Sequence, residues 1–126
     1  MQNGMALVDI IVPTYNRASV LPETLKSVQQ QTVTDWCCFI AEDGETPETL
    51  AAVAPFLEDG CFTYLPGKHI GTPAAPRNRA IRQGSAPFIA FLDDDDLWLP
   101  EKLETQRAFM NEHPACTLLG ANAYRW

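Results

Sequence analysis

Apolar residues run almost unbroken from Leu7 to Pro13 (LVDIIVP), with only Asp9 interrupting them. A run rich in β-branched residues and apolar at consecutive positions is the pattern of a strand covered on both faces, hence of a parallel sheet. The polar tetrad Thr14-Tyr15-Asn16-Arg17 ends it. Leu21, Leu25 and Val28 then recur at helical spacing. They predict a helix capped by Ser19, tolerant of Pro22 in its first turn and running to about Gln31. Trp36–Ala41 reads as a second strand, closed by Glu42-Asp43-Gly44. Thr46-Pro47-Glu48 supplies the cap, first position and first-turn acid of a second helix, which Pro55 ends or kinks. Cys61–Leu65 is a third, shorter strand, and Pro66–Pro76 is loop-like. A helix follows through Arg77 and Ile81 to Gly84, a glycine placed where a left-handed C′ residue belongs. Phe88–Leu92 is a fourth strand with Asp93–Asp96 at its C-terminal end. A last helix is predicted from Pro100 to about Glu112, and Thr117–Gly120 reads as the start of a fifth strand.

Strands alternating with helices predict an α/β fold: a half-Rossmann-like, mostly parallel sheet with helices on both faces, forming one domain over residues 1–126. Such sheets bind ligands beyond the carboxyl ends of their strands, at the topological switch point. Thr14–Arg17, Glu42–Gly44 and Asp93–Asp96 each follow a strand, so three polar clusters are expected at one rim. The glycines form neither a GxGxxG nor a GxxxxGK[ST] element, which argues against classical dinucleotide binding and P-loop chemistry.

Composition adds a charge map. Nine basic and sixteen acidic residues give a net charge of −7, the wrong sign for a nonspecific nucleic-acid binder. Residues 60–92 nevertheless carry Lys68, Arg77, Arg79 and Arg82 with no acid, and run directly into the four carboxylates. That order suits a ligand presenting both phosphate and a divalent metal; a solvated basic helix beside an acidic loop is the plainer alternative. Cys37, Cys38, Cys61 and Cys116 form no CxxC pair and are read as small buried hydrophobes of a reducing compartment. With His69 and His113 the only histidines, a zinc site is not expected. The first apolar stretch is too short for a signal peptide or membrane span. The expected location is cytoplasmic, at most peripheral to a membrane.

Asp93-Asp94-Asp95-Asp96 is the most informative run, since adjacent carboxylates are stable together only when solvated or neutralised by a cation. Alternate residues project to one side, and hard oxygen donors suit Mg²⁺ or Mn²⁺ completed by substrate phosphates. An acidic N-terminal cap for the following helix is the alternative. Tyr15 has the shape to stack on a flat base or simply to pack at the rim. Asp43 is placed to accept a ring N–H beside Gly44, or to form an ordinary Asp-Gly turn. Arg77 stands near a helix start where phosphate binds, while Arg79 and Arg82 also fit exposed helix positions. Lys68 and His69 stay unassigned, and Trp98 reads as core or a sugar-facing wall.

IIVPTYNR, the Gln31-Thr32 helix end, AEDGE, PRNRAI and FLDDDDLWLPEKL occur in an order and spacing that resembles the family 2 glycosyltransferases of GT-A fold, from about Val8 to Gly120. The resemblance implies transfer of a sugar, with inversion, from a nucleoside diphosphate donor, UDP-sugar favoured, to a saccharide or other hydroxyl acceptor. It implies nucleobase contacts from Thr14 and a stacking Tyr15, with Pro13 and Arg17 of the same motif in the nucleotide-sugar site. Asp43 binds the base, Arg77 the nucleotide or its phosphates, and Asp93 and Asp94 face the ribose. Asp95 is the ligand of Mn²⁺ or Mg²⁺ in the DXD motif. Glu42 stands where Asp is more usual. The resemblance also implies an acceptor-binding half supplying an acidic general base. No acid beyond Glu112 is present for that role, so the chain is expected to be the donor-binding half, cut before its partner half, and to self-associate through uncovered sheet. A non-catalytic nucleotide-binding module is the alternative. Nucleotidyl transfer is a weaker one, because TYNR is no phosphate-cradling glycine loop.

Overall fold

The computed structural model describes residues 6–120. Its elements, in chain order, are β1 (Val8–Thr14), α1 (Leu21–Gln29), β2 (Trp36–Glu42), α2 (Pro47–Val53), a 3₁₀ turn (Ala54–Asp59), β3 (Phe62–Leu65), α3 (Ala74–Gln83), β4 (Phe88–Phe91) and α4 (Lys102–Glu112). The strands pair in parallel in the order β3-β2-β1-β4. The chain therefore steps outward from β1 to β3 and returns to place β4 on the other side, which makes β1/β4 the switch point.

Every residue of β1 is buried, as its almost unbroken apolar run predicts, and Asp9 is buried with the rest. Val8, Ile10 and Val12 face one layer with Leu21, Leu25 and Val28 of α1 and Leu103 of α4, whereas Ile11 faces Ala80 of α3 on the opposite side. Helices thus cover both faces. The β1–β4 ladder ends at Ile11↔Phe91 while β1 continues to Thr14 beside Glu42. Pro13, which has no N–H, lies beyond that ladder.

Five expectations change. Ser19 does not cap α1: Val20 takes that position, and the Arg17 carbonyl accepts the Val20 and Leu21 N–H groups at 3.1 and 2.9 Å, leaving a side-chain cap nothing to bind there. Helix α1 also closes at Gln29 rather than Gln31. Helix α3 begins at Ala74, inside the supposed loop, because Pro76 falls in the first turn, where its missing N–H costs nothing. Gly84 follows α3 with φ −86°, so it is no left-handed cap. It is needed for space, since a Cβ there would lie 2.0 Å from Asp9 Oδ2. Residues 117–120 form no strand, since they pair with none of the described strands, and Leu118 is exposed. Any continuation of that strand lies outside the described residues.

Candidate nucleotide and metal site

The rim at the carboxyl ends of β1, β2 and β4 brings the predicted residues together. Asn16 adopts φ +54°, a left-handed conformation that asparagine tolerates, and turns the chain sharply after β1. Tyr15 is left 55% exposed and Arg17 lies 3.7 Å from Asp95. An open depression of about 430 Å³ runs along Tyr15, Asn16, Arg17, Ser19 and Val20.

Asp43 is 4% exposed, and its backbone N–H donates to the Thr14 carbonyl at 2.9 Å, tying β2 to β1. Its carboxylate accepts the Ile70 N–H at 2.7 Å and the Gly71 N–H at 2.9 Å, and His69 Nδ1 lies 3.0 Å from Oδ2. Those contacts, led by the Ile70 N–H, hold the Asp43 carboxyl below the usual range against the opposing effect of burial. Gly44 adopts φ +130°, a backbone that only glycine takes without strain, and its carbonyl accepts the Gly67 N–H at 2.9 Å. His69, which no sequence pattern marked, stacks on Tyr15 with ring centroids 4.7 Å apart. Tyr15, Asp43 and His69 thus form one flat-walled corner.

Beside Asp43, the Glu42 carboxylate is buried and structural. It accepts the Thr46 hydroxyl at 2.8 Å and the Tyr64 hydroxyl, joining β2 to α2 and β3, and burial with Glu42 beside it pushes the Tyr64 phenol up. Arg79, which also fitted an exposed position, turns inward instead. Its guanidinium donates to the Glu42 carbonyl and, at 3.2 Å, to that of Leu65. Arg82 stays exposed.

The four carboxylates separate into two kinds. Asp94 turns toward β1, where Oδ2 accepts the buried Thr14 hydroxyl at 2.8 Å and the Tyr15 N–H adds a second bond. Burial outweighs those bonds and raises its carboxyl above the usual range. Asp93 and Asp95 point outward and are well exposed. Arg77 NH2 lies 3.5 Å from Asp93, and its guanidinium sits over the Phe91 ring at 5.9 Å. The Arg77 Nε is buried without a partner. Behind the loop, buried polar residues of α1 and the turn after it grip the backbone. Ser27 Oγ accepts the Trp98 N–H at 3.2 Å, and Gln31 binds the Leu99 carbonyl at 2.8 Å and the Leu103 N–H at 3.1 Å.

Among the described residues no three His, Cys, Asp or Glu side chains converge to hold an ion by themselves. Two outward, hard carboxylates beside two arginines fit instead a Mg²⁺ or Mn²⁺ shared with ligand phosphates, the usual way these ions are held. Cys37, Cys38 and Cys116 are free thiols, half-buried or buried.

The model of "Glycosyl transferase family 2" matches residues 9–125. The chain belongs to that family. It is 36% identical over 104 residues to the Escherichia coli UDP-Glc:alpha-D-GlcNAc-diphosphoundecaprenol beta-1,3-glucosyltransferase WfgD, a match covering 82% of this chain and 41% of WfgD. The crystal structure of Staphylococcus aureus TarS 1–349 in complex with UDP-GlcNAc superposes with TM-score 0.80 at 30% identity, covering 85% of this chain and 32% of that one. The Pyrobaculum calidifontis mannosyltransferase PcManGT shares the fold, with TM-score 0.76 at 24% identity. The family 2 chain thus has the GT-A architecture, and it spans less than half the length of these relatives.

Proposed function

We propose that the chain is the donor-binding part of an inverting glycosyltransferase, which moves a sugar from a nucleoside diphosphate donor to a saccharide or other hydroxyl acceptor. The convergence of Tyr15, Asp43, Arg77, Asp93 and Asp95 at one switch-point rim carries this reading. Tyr15 offers a face for the base, and Asp43, held ionised, accepts its ring N–H. Thr14 and Asp94, bonded to each other, form the floor toward the ribose, with the buried Pro13 next to Thr14 in β1. Arg77 and Arg17 meet the diphosphate. Asp95, with Asp93 beside it, holds Mn²⁺ or Mg²⁺. An ion held there would offset charge developing on the departing diphosphate. UDP-sugars are the favoured donors, because WfgD is named for UDP-Glc and TarS was solved with UDP-GlcNAc.

No residue of the chain is assigned the general-base role; Glu101 and Glu104 lie at and within the start of α4, past the metal loop. Among the described residues no helix is long and apolar enough to cross a membrane. A cytoplasmic location peripheral to a membrane suits a relative of WfgD, whose name specifies an undecaprenol-linked acceptor.

Calorimetry with UDP and Mn²⁺ tests the reading. Wild-type protein binds in a metal-dependent manner, and Asp95→Ala loses that dependence. Asp43→Ala binds at least about tenfold more weakly, a hydrogen bond to a charged group being worth about 1.5–3 kcal/mol. Folded wild-type protein that shows no metal-dependent binding contradicts it.

A further inference from the structure

We propose that Thr24 of α1 is a positioning residue for the metal-binding loop, acting on Asp93 and Asp95 through the loop backbone. The inference rests on the nucleotide and metal reading above. Four consecutive carboxylates repel one another, and residues 92–99 have no regular secondary structure to hold them against that repulsion. One restraint is the turn closed by the Asp96 N–H on the Asp93 carbonyl at 3.2 Å. A second is the Asp94 carboxylate on Thr14. Thr24 adds one from α1, which takes hold of the backbone at Asp94 and Asp96.

Thr24 is 1% exposed in a helix that also buries Leu21, Leu25, Ser27 and Val28. A hydroxyl in such a place is costly unless bonded. Its oxygen lies 3.0 Å from the Asp94 carbonyl and 2.8 Å from the Asp96 carbonyl, so one proton is shared between two alternate peptide groups. Both carbonyls are thereby drawn inward to α1. The side chains of Asp93 and Asp95 lie outward, beside Arg77 and Arg17. Ser27 and Gln31 fix only the later backbone, from Trp98 to Leu103.

The test compares Thr24→Val, which keeps the volume and deletes the donor, with Thr24→Ser, which keeps it. Two ligands are titrated by NMR and calorimetry: UDP with Mn²⁺, and uridine alone, which reports only on the base corner. Thr24→Val is expected to weaken Mn²⁺-dependent UDP binding about tenfold, the scale of one lost hydrogen bond, with uridine binding unchanged and Thr24→Ser close to wild type. Equal losses for uridine and UDP–Mn²⁺, no loss for either, or a loss in Thr24→Ser as large as in Thr24→Val would overturn the proposal. Should Thr24→Val fail to fold, Thr24→Ser against Thr24→Ala isolates the same hydroxyl. Wild-type protein without Mn²⁺-dependent UDP binding would refute the donor-site reading instead.

Discussion

Asp43 is almost shut off from water, yet its carboxyl is held below the usual range because two backbone N–H groups and His69 point at it. A carboxylate whose folded pKa is depressed contributes stability that is present above its unfolded value, about 3.9, and lost as pH falls through the lower folded value. The side-chain carboxyl carbon signal of Asp43, followed by NMR, should therefore titrate with a midpoint below the ordinary aspartate value of about 3.9. A midpoint at or above the ordinary aspartate value contradicts that reading of the corner. At this scale the sequence was legible wherever polar residues come at or just after a strand end, as Tyr15, Asp43 and Asp93–Asp95 do. It was illegible for His69 and Arg79, whose partners lie 26 and 37 residues away and depend on how the loops fold back.

Elements meet through polar contacts as well as apolar ones. Asp9 breaks the apolar run of β1, and its carboxylate accepts the Ala86 N–H at 2.9 Å at the exit of α3, where Gly84 leaves room for it. Gly84→Ala must push Asp9 aside or unseat α3. A loss of about 1–3 kcal/mol, measured by urea denaturation, is expected from overpacking and a strained buried hydrogen bond. A variant as stable as wild type would show that the space is not required. The helix caps illustrate what local pattern can resolve. Thr46 was legible as a cap because Pro47 follows it, and its side chain does accept the Thr49 N–H. Ser19 misled because the Arg17 carbonyl already bonds the N–H groups at the start of α1. The polar set Thr24, Ser27 and Gln31 was written beside the apolar one, but its partners on the carboxylate loop are about 70 residues away.

For the molecule as a whole, the alternation of buried strands and helices was enough to read the α/β architecture, because covering a parallel sheet on both faces leaves few ways to connect it. Residues 117–120 form no strand because a segment becomes one only with a ladder partner, and none of the described strands pairs with them. Among the described residues no strand pairs with the outer edge of β4, and Ile89 and Phe91 are exposed there. Open edges of this kind invite pairing with another chain. The 126-residue chain is accordingly expected to self-associate as concentration rises, and Phe91→Ser to weaken that association; a clean monomer by gel filtration at high concentration contradicts it. The central claim, that the β1/β2/β4 rim holds a nucleoside diphosphate with its metal, is tested most directly by paramagnetic broadening. With UDP and substoichiometric Mn²⁺ added to ¹⁵N-labelled protein, amide signals of residues 93–96, Arg17 and Arg77 should broaden first, and those of Tyr15 and Ile70 should shift with UDP alone. Broadening centred elsewhere, or none with UDP present, would contradict the account.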